Sequence, residues 1–304
     1  YLPVTDDWAQ NSVYSNIQSN LASQVAQEFP TLPQEQRQAY AQREFQNYLD
    51  QNQDQIDQQI KDTSAYFKSR MQDENNQTYL VAIDPWLWYG MTKNYIENGH
   101  AGTHLDEEGK AVHGLRNGRV GTSASLNPII LINVIILAVL SLFMANVTAL
   151  TAAFYFPLVF ITIGVVPIFF LARKLSNNLG GLVASILFVT QASLLGRTTA
   201  GFSDTDAFTV TLPLFGIWLF SMAIFAKKTS HKIISAILAA ATFLTFTKAW
   251  GGWWYTIDIL LISTLAAIVY HAIKQKNSES QKNNIINISK MSAITFGSFV
   301  LILA

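Results

Sequence analysis

Polar and apolar positions are sorted differently in the two halves of this chain. In the first half Val13, Ile17, Leu21 and Val25 recur every four residues between polar neighbours. Phe45, Tyr48, Leu49, Ile56, Ile60, Phe67 and Met71 follow at mostly helical spacing. The pattern predicts two amphipathic helices separated at Pro30 and Pro33, with Gln-rich faces towards water and no strands. The glutamines by themselves invite a low-complexity reading, but the apolar stripe argues for packed helices. No internal repeat of fixed period is evident.

The second half is patterned as hydrocarbon runs separated by short polar breaks. Residues 152–172, 179–196, 207–226, 233–249 and 254–273, with a sixth run from 291, approach the roughly 20 residues that cross about 30 Å of hydrocarbon as a helix. Basic residues occupy alternate loops: Arg173 and Lys174, then Lys227, Lys228 and Lys232, then Lys274, Lys276 and Lys282. Lys and Arg accumulate on the cytoplasmic side, so the loops holding Asp204, Asp206 and Trp250 are expected to face outward. The run 129–146 is apolar enough to span, which would put the first half inside; the preferred reading is a helix at the outer interface, packed on the bundle. The expected organisation is therefore an extracytoplasmic first loop over 1–150 and a transmembrane bundle over 151–304.

Charge sharpens this division. Residues 1–126 hold sixteen of the twenty acids and nine of the twenty bases, a net of −7, and the remainder carries +7, so the zero total is an accident of summation. Cysteine is absent, which removes disulfides and thiolate metal sites. The chain opens at Tyr1 without an initiator Met and stops inside an apolar run, so both ends read as cut.

After residue 126 the acids are only Asp204, Asp206, Asp258 and Glu279. Each costs roughly 2.5–3.5 kcal/mol at membrane depth, so the pair in RTTAGFSDTDAF, Arg197 to Phe208, marks a candidate site. In an extended loop Asp204 and Asp206 would project to one side and Thr205 to the other. Two hard oxygen ligands with no Cys or His nearby suit Mg²⁺ or Mn²⁺ better than Zn²⁺. The plain alternative is that Asp206 caps the following span, which explains one Asp and not the other. Arg197 is open between binding a phosphate, holding a carboxylate and snorkelling to the interface.

Asp84 precedes Pro85 in YLVAIDPWLWYG, where Pro85 can begin a helix with Asp84 as its cap. Trp86, Trp88, Tyr89 and Tyr95 would then lie along the outer membrane surface. In KAWGGWWY, Lys248 to Tyr255, the aromatics read as an interfacial belt, and Gly251 and Gly252 allow a backbone or ligand to approach Trp250 closely. Asp258 is expected to cap the next span or pair with Lys248. His100 and His104 have helical metal-ligand spacing, but Gly99 and Gly102 argue against a helix there.

Taken in order, D-P-W-x-W-Y at Asp84 to Tyr89, R-T-x-A-G-F-x-D-T-D-A-F at Arg197 to Phe208, and W-G-G at Trp250 to Gly252 resemble the catalytic subunits of oligosaccharyltransferase. The likeness is to the archaeal AglB type first and to the bacterial PglB type more distantly. Pro157 to Lys174, a span ending in a basic pair, and the opening LPVTDDWA, Leu2 to Ala9, add to it. The resemblance implies an all-α, polytopic transmembrane helix bundle of the GT-C glycosyltransferase type with a large helical extracytoplasmic first loop. It implies metal-dependent transfer of an oligosaccharide from a polyprenyl phosphate or pyrophosphate to Asn in Asn-x-Ser/Thr on the outer face of the cell membrane. The implied partners are the lipid-linked donor, the acceptor polypeptide and membrane lipid, not nucleic acid, and the implied cofactor is Mn²⁺ or Mg²⁺.

Carried over by residue, Asp84 is implied to approach both metal and acceptor amide, Asp204 and Asp206 to hold the metal, Arg197 to support the acceptor, and Trp250, Gly251 and Gly252 to bind substrate. Ala82 stands where many relatives have a further acid. A later metal glutamate, the W-W-D motif and a soluble domain would lie beyond Ala304, so this stretch is expected to be inactive by itself. Another GT-C enzyme, such as an O-mannosyltransferase, would cluster its carboxylates in the first loop, and a transporter would place acids near the midplane. Three sequons occur at Asn76, Asn146 and Asn287. On the expected topology Asn76 is open to modification and Asn287 is not, while Asn146 lies too close to the membrane to assign.

Overall fold

A computed structural model describes residues 4–118, 120–274 and 279–303. Tyr1, Leu2, Pro3, Lys276 and Ala304, which entered the readings above, lie outside them. Two compact units divide after Tyr79. The expected boundary at 150 is one of membrane topology; by packing, the chain from Leu80 onward coheres with the apolar helices.

The first unit is three helices, α1 (Val4–Glu28), α2 (Gln34–Gln51) and α3 (Gln53–Arg70). The single helix expected from Phe45 to Met71 is broken at Asn52, whose φ of −122° leaves the helical region and whose side-chain amide donates to the Tyr48 carbonyl. Such local Asn-to-backbone bonds compete with helix continuation. The stripe does its expected work, with Val13, Val25, Phe45 and Ile56 buried.

The second unit begins with α4 (Ile83–Asn98), which stops at Gly99 in the left-handed conformation. Three short strands follow, β1 (His104–Leu105), β2 (Ala111–His113) and β3 (Thr122–Ser123), antiparallel in the order β1-β2-β3. These correct the all-helical expectation for the first half. Strands of two or three residues are too short to show alternation, and the glycines between them make turns that override helical spacing. His104 accordingly sits in a strand, not one helical turn from His100.

Next comes α5 (Pro128–Leu140), capped by the Asn127 side chain on the Ile129 amide. Its 13 residues rise about 20 Å, well short of a bilayer core, and it packs against α4 and the following helix α6 (Ala149–Leu175). Then follow α7 (Asn178–Thr190), α8 (Ala192–Thr198), α9 (Asp206–Phe225), α10 (Thr229–Ala249), α11 (Trp254–Lys274) and α12 (Glu279–Leu303). Four of these, α6, α9, α10 and α11, are long and apolar enough to cross a membrane. The pair α7 and α8, bent by 58° at Gln191, adds a fifth if it is one broken span. The chain is thus built as a multi-pass membrane protein. Residues 179–196, expected as one uninterrupted span, are broken at Gln191, and the sixth run, from 291, lies within α12, a helix that starts at Glu279.

Packing in the bundle uses small residues where helices touch, because lipid supplies no hydrophobic drive between them. Ala236, Ala239 and Ala240 on α10 are fully buried, and a β-carbon on Gly216 of α9 would stand 2.2 Å from the Phe243 ring. Phe208 at the start of α9 stacks edge-on to Phe156 and Phe160 of α6, fixing the two helices at that end. At the opposite end Lys174 donates to Ser221 at 3.0 Å, and Lys232 of α10 donates to Asn287 of α12. The described basic loops therefore gather at one end of the bundle, and the 197–208 segment lies at the other.

Candidate active site

The segment between α8 and α9 is held by its backbone. Gly201 donates to the Phe154 carbonyl at 2.8 Å and accepts from the Val81 amide at 3.2 Å, so it joins the start of α6 to the residues leading into α4. Its φ is +85°, and a β-carbon there would lie 3.2 Å from the Phe154 ring and 3.4 Å from Val81. Only glycine meets both demands without strain. The ladder brings the first turn of α4, with Asp84, beside the carboxylates that follow Gly201.

A second link is made by side chains. The Trp88 indole N–H, one turn beyond Asp84, donates to Asp204 Oδ1 at 3.0 Å, and the Thr205 amide donates to the same oxygen at 2.6 Å. Both donors orient the carboxylate. Trp88 and Tyr95 pack inward on the core that includes Ile129, Ile130, Phe156 and Phe208, while Trp86 stacks edge-on to Tyr89. The expectation that all four aromatics lie along a membrane surface is corrected: a helix with core on one side turns part of its aromatic set into the protein.

Asp84 is exposed in the first turn of α4, whose cap residue is Ala82, so Asp84 is not the cap. Asp206 likewise begins α9 behind Thr205 and makes no cap bond of its own. Thr205 has φ −64° and ψ −14°, helical values, so the alternation expected of an extended D-T-D does not apply. The helix starts one residue early and rotates the two carboxylates into different surroundings. Asp204 turns to Trp88, and Asp206 faces Arg197, with Oδ2 3.7 Å from Nη1. Asp84 and Asp204 both lie near enough for their charges to act on Asp206, and the start of α9 adds the partial positive charge of a helix N-terminus. Arg197 is 67% exposed and its guanidinium also lies 5.5 Å from the Phe202 ring, so the pair with Asp206 is loose and the cation remains free to meet a ligand. A cleft of about 230 Å³ opens between them, lined by Gln191, Ser193, Arg197, Asp206 and Thr209.

The donor set is chemically right for a hard cation: carboxylate oxygens without thiol or imidazole. Its geometry is that of an open cluster, since among the described residues no three His, Cys, Asp or Glu side chains are gathered as a metal site.

Trp250, Gly251 and Gly252 occupy the α10–α11 turn. The Trp250 ring lies over Gly252, where a β-carbon would fall 2.1 Å from it, and stacks on Phe246. Tyr255 meets Trp250 edge-on and donates its hydroxyl to the Thr209 carbonyl at 3.1 Å, one turn into α9. The W-G-G turn is thus braced on the helix that carries Asp206; Gly251 is exposed and open. Asp258 falls in the second turn of α11, so it is not a cap, and among the described residues it forms no ion pair with Lys248. Sequence reasoning missed Trp88 as a carboxylate donor and Tyr255 as a brace, because a Trp or Tyr in apolar surroundings reads as packing.

Residues 59–304 match the family model described as Oligosaccharyl transferase STT3, N-terminal. A dolichyl-phosphooligosaccharide-protein glycotransferase of Methanococcus voltae is 31% identical over 264 residues, 80% of this chain and 29% of the relative. The archaeal oligosaccharyltransferase AglB of Archaeoglobus fulgidus, solved in complex with an inhibitory peptide and a dolichol-phosphate, shares the fold. Its TM-score is 0.56 at 17% identity, over 74% of this chain and 26% of that one. A crystal structure of the Archaeoglobus fulgidus enzyme with Zn and sulfate gives a TM-score of 0.54 at 17% identity, over 74% of this chain and 27% of that one. The chain spans about a third of the length of the curated relatives it matches.

Proposed function

The chain belongs to the STT3 oligosaccharyl transferase family, and we propose that it contributes the carboxylate half of a site that transfers an oligosaccharide from a polyprenyl phosphate or pyrophosphate to Asn in Asn-x-Ser/Thr. The observation that carries this is the double stitching of the two acidic motifs. Val81 to Gly201 and Trp88 to Asp204 put Asp84 and the DTD segment together at the end of the bundle remote from Lys174 and Lys232. By the positive-inside rule that end is extracytoplasmic. A transporter is disfavoured because Asp204 and Asp206 sit at a helix start and not at mid-span.

Asp84, Asp204 and Asp206 would hold Mn²⁺ or Mg²⁺, completed by further oxygen ligands. When bound, such a cation supplies Lewis-acid neutralisation of the departing lipid phosphate. The chain's own residues do the rest. A carboxamide nitrogen is a poor nucleophile because its lone pair is delocalised into the carbonyl. Asp84, exposed in the first turn of α4, would accept hydrogen bonds from the acceptor amide N–H, favouring a less conjugated nitrogen. Arg197, loosely held by Asp206, would steady the acceptor in the adjoining cleft, and the W-G-G turn would bind substrate through Trp250 and the open Gly251. In the complete enzyme, a purified lipid-linked oligosaccharide and an Asn-x-Thr peptide should give a glycopeptide by mass spectrometry, and the matching Gln-x-Thr peptide none. Modification of both peptides alike, or of neither, rejects this function.

A further inference from the structure

The lysine-bearing end of the bundle holds a second concavity that the transferase chemistry does not use. Between α9, α11 and α12 lies a cleft of about 490 Å³ walled by Phe220, Ile224, Phe225, Leu260 and Ile288. It falls within the roughly 300–1,000 Å³ of small-ligand sites, apolar with a few convergent polar groups. Polar groups reach it from Ser221, Ser263, His271, Asn284 and Asn287, together with Thr264, whose hydroxyl is buried in the wall with no hydrogen-bond partner among the described residues.

Cations are fastened to this wall. Lys174 donates to the Ser221 hydroxyl and stands 3.5 Å from the centre of the Phe225 ring. Lys232 donates to Asn287 Oδ1, and the Asn287 amide donates in turn to the Ile224 carbonyl at 2.7 Å. Among the described residues of the turns that close this end, 171–178, 225–232, 270–274 and 279–283, Glu279 is the single acid. A hydrocarbon cleft with ammonium groups at its mouth is complementary to a molecule with an apolar chain and an anionic head.

We propose that this cleft binds an anionic phospholipid from the leaflet on the lysine side, an acyl chain lying in the hydrocarbon and the phosphate meeting Lys174 and Lys232. Basic pockets between transmembrane helices on the cytoplasmic side recognise anionic headgroups in this way. A polyprenyl phosphate shares the chemistry, but the donor's phosphate belongs at the carboxylate end of the bundle, so the phospholipid is the occupant assigned here.

Thermal unfolding of the intact detergent-purified protein tests this with added dioleoyl phosphatidylglycerol, dioleoyl phosphatidylcholine, dolichyl phosphate and inorganic phosphate. Phosphatidylglycerol should raise Tm by a few degrees and the other three should not. The doubly substituted Lys174→Gln/Lys232→Gln protein should lose that shift. Ala267→Phe, which fills the cleft and leaves the lysines in place, should lose it too. Native mass spectrometry of the wild type should retain phosphatidylglycerol over phosphatidylcholine, a readout independent of any variant's folding. An equal response to phosphatidylcholine, an equal response to dolichyl phosphate, or a full shift in both substituted proteins overturns the proposal.

Discussion

Replacing Trp88 by Phe in the complete enzyme keeps an aromatic ring in the core and deletes one donor, the indole N–H that lies 3.0 Å from Asp204 Oδ1. A hydrogen bond to a charged acceptor is worth about 1.5–3 kcal/mol. The lower part of that range applies, because the same oxygen keeps the Thr205 amide at 2.6 Å. If the carboxylate must hold its position in the transition state, a loss of about 1.5–2 kcal/mol lowers kcat/KM roughly 10- to 30-fold. The assay is single-turnover and steady-state transfer to an Asn-x-Thr peptide over a Mn²⁺ titration. Half-maximal Mn²⁺ should rise together with the fall in kcat. Trp254→Phe, at a residue 57% exposed, serves as the control and should stay near wild type. A Trp88→Phe enzyme within twofold of wild type in both kcat/KM and Mn²⁺ requirement refutes the link between α4 and the DTD segment as a functional one.

Gly201→Ala should lower the Tm of the complete enzyme and its activity together, since φ is +85° and the added methyl meets Phe154 at 3.2 Å; the left-handed backbone alone costs about 1–2 kcal/mol. In the first unit, hydrogen bonds from Ser64 and then Lys68 hold Asp6 below the ordinary carboxylate range. Its contribution to stability is therefore present above the unfolded pKa near 4 and lost as pH falls through the lower folded value. Hydrogen exchange in α1 and α3 should consequently quicken below about pH 4 in the wild type, and Ser64→Ala should flatten that dependence. Asn287, although a sequon, should carry no glycan in peptide mapping, because its amide bonds the Ile224 carbonyl and Lys232 at the basic end; a glycan on Asn287 would contradict the orientation.

The hydrocarbon runs and alternating lysines made the bundle legible from sequence, because span length and loop charge are set by the bilayer and not by detailed packing. The break at Gln191 and the early start of α9 at Asp206 were not legible. Each depends on which residue last adopts helical dihedrals, which hydrophobic periodicity does not record. Asp204 and Asp206 stood out because charge is rare in apolar surroundings, and Asp84 because of the Pro85 and aromatic residues that follow it. That Asp204 is held by Trp88, 116 positions away along the chain, depends on Gly201 fitting between Phe154 and Val81, and no local pattern records such a fit. The three short strands were hidden for the opposite reason: two or three residues carry too little periodicity to compete with glycine-rich surroundings.

The most direct test is glycan transfer by the complete enzyme carrying Asp204→Ala, with Mn²⁺ varied from zero to saturation. Abolition of Mn²⁺-dependent transfer to an Asn-x-Thr peptide, in a protein that still folds and inserts, is the expected result; full activity with unchanged Mn²⁺ dependence would contradict the assignment of the DTD carboxylates to the reaction.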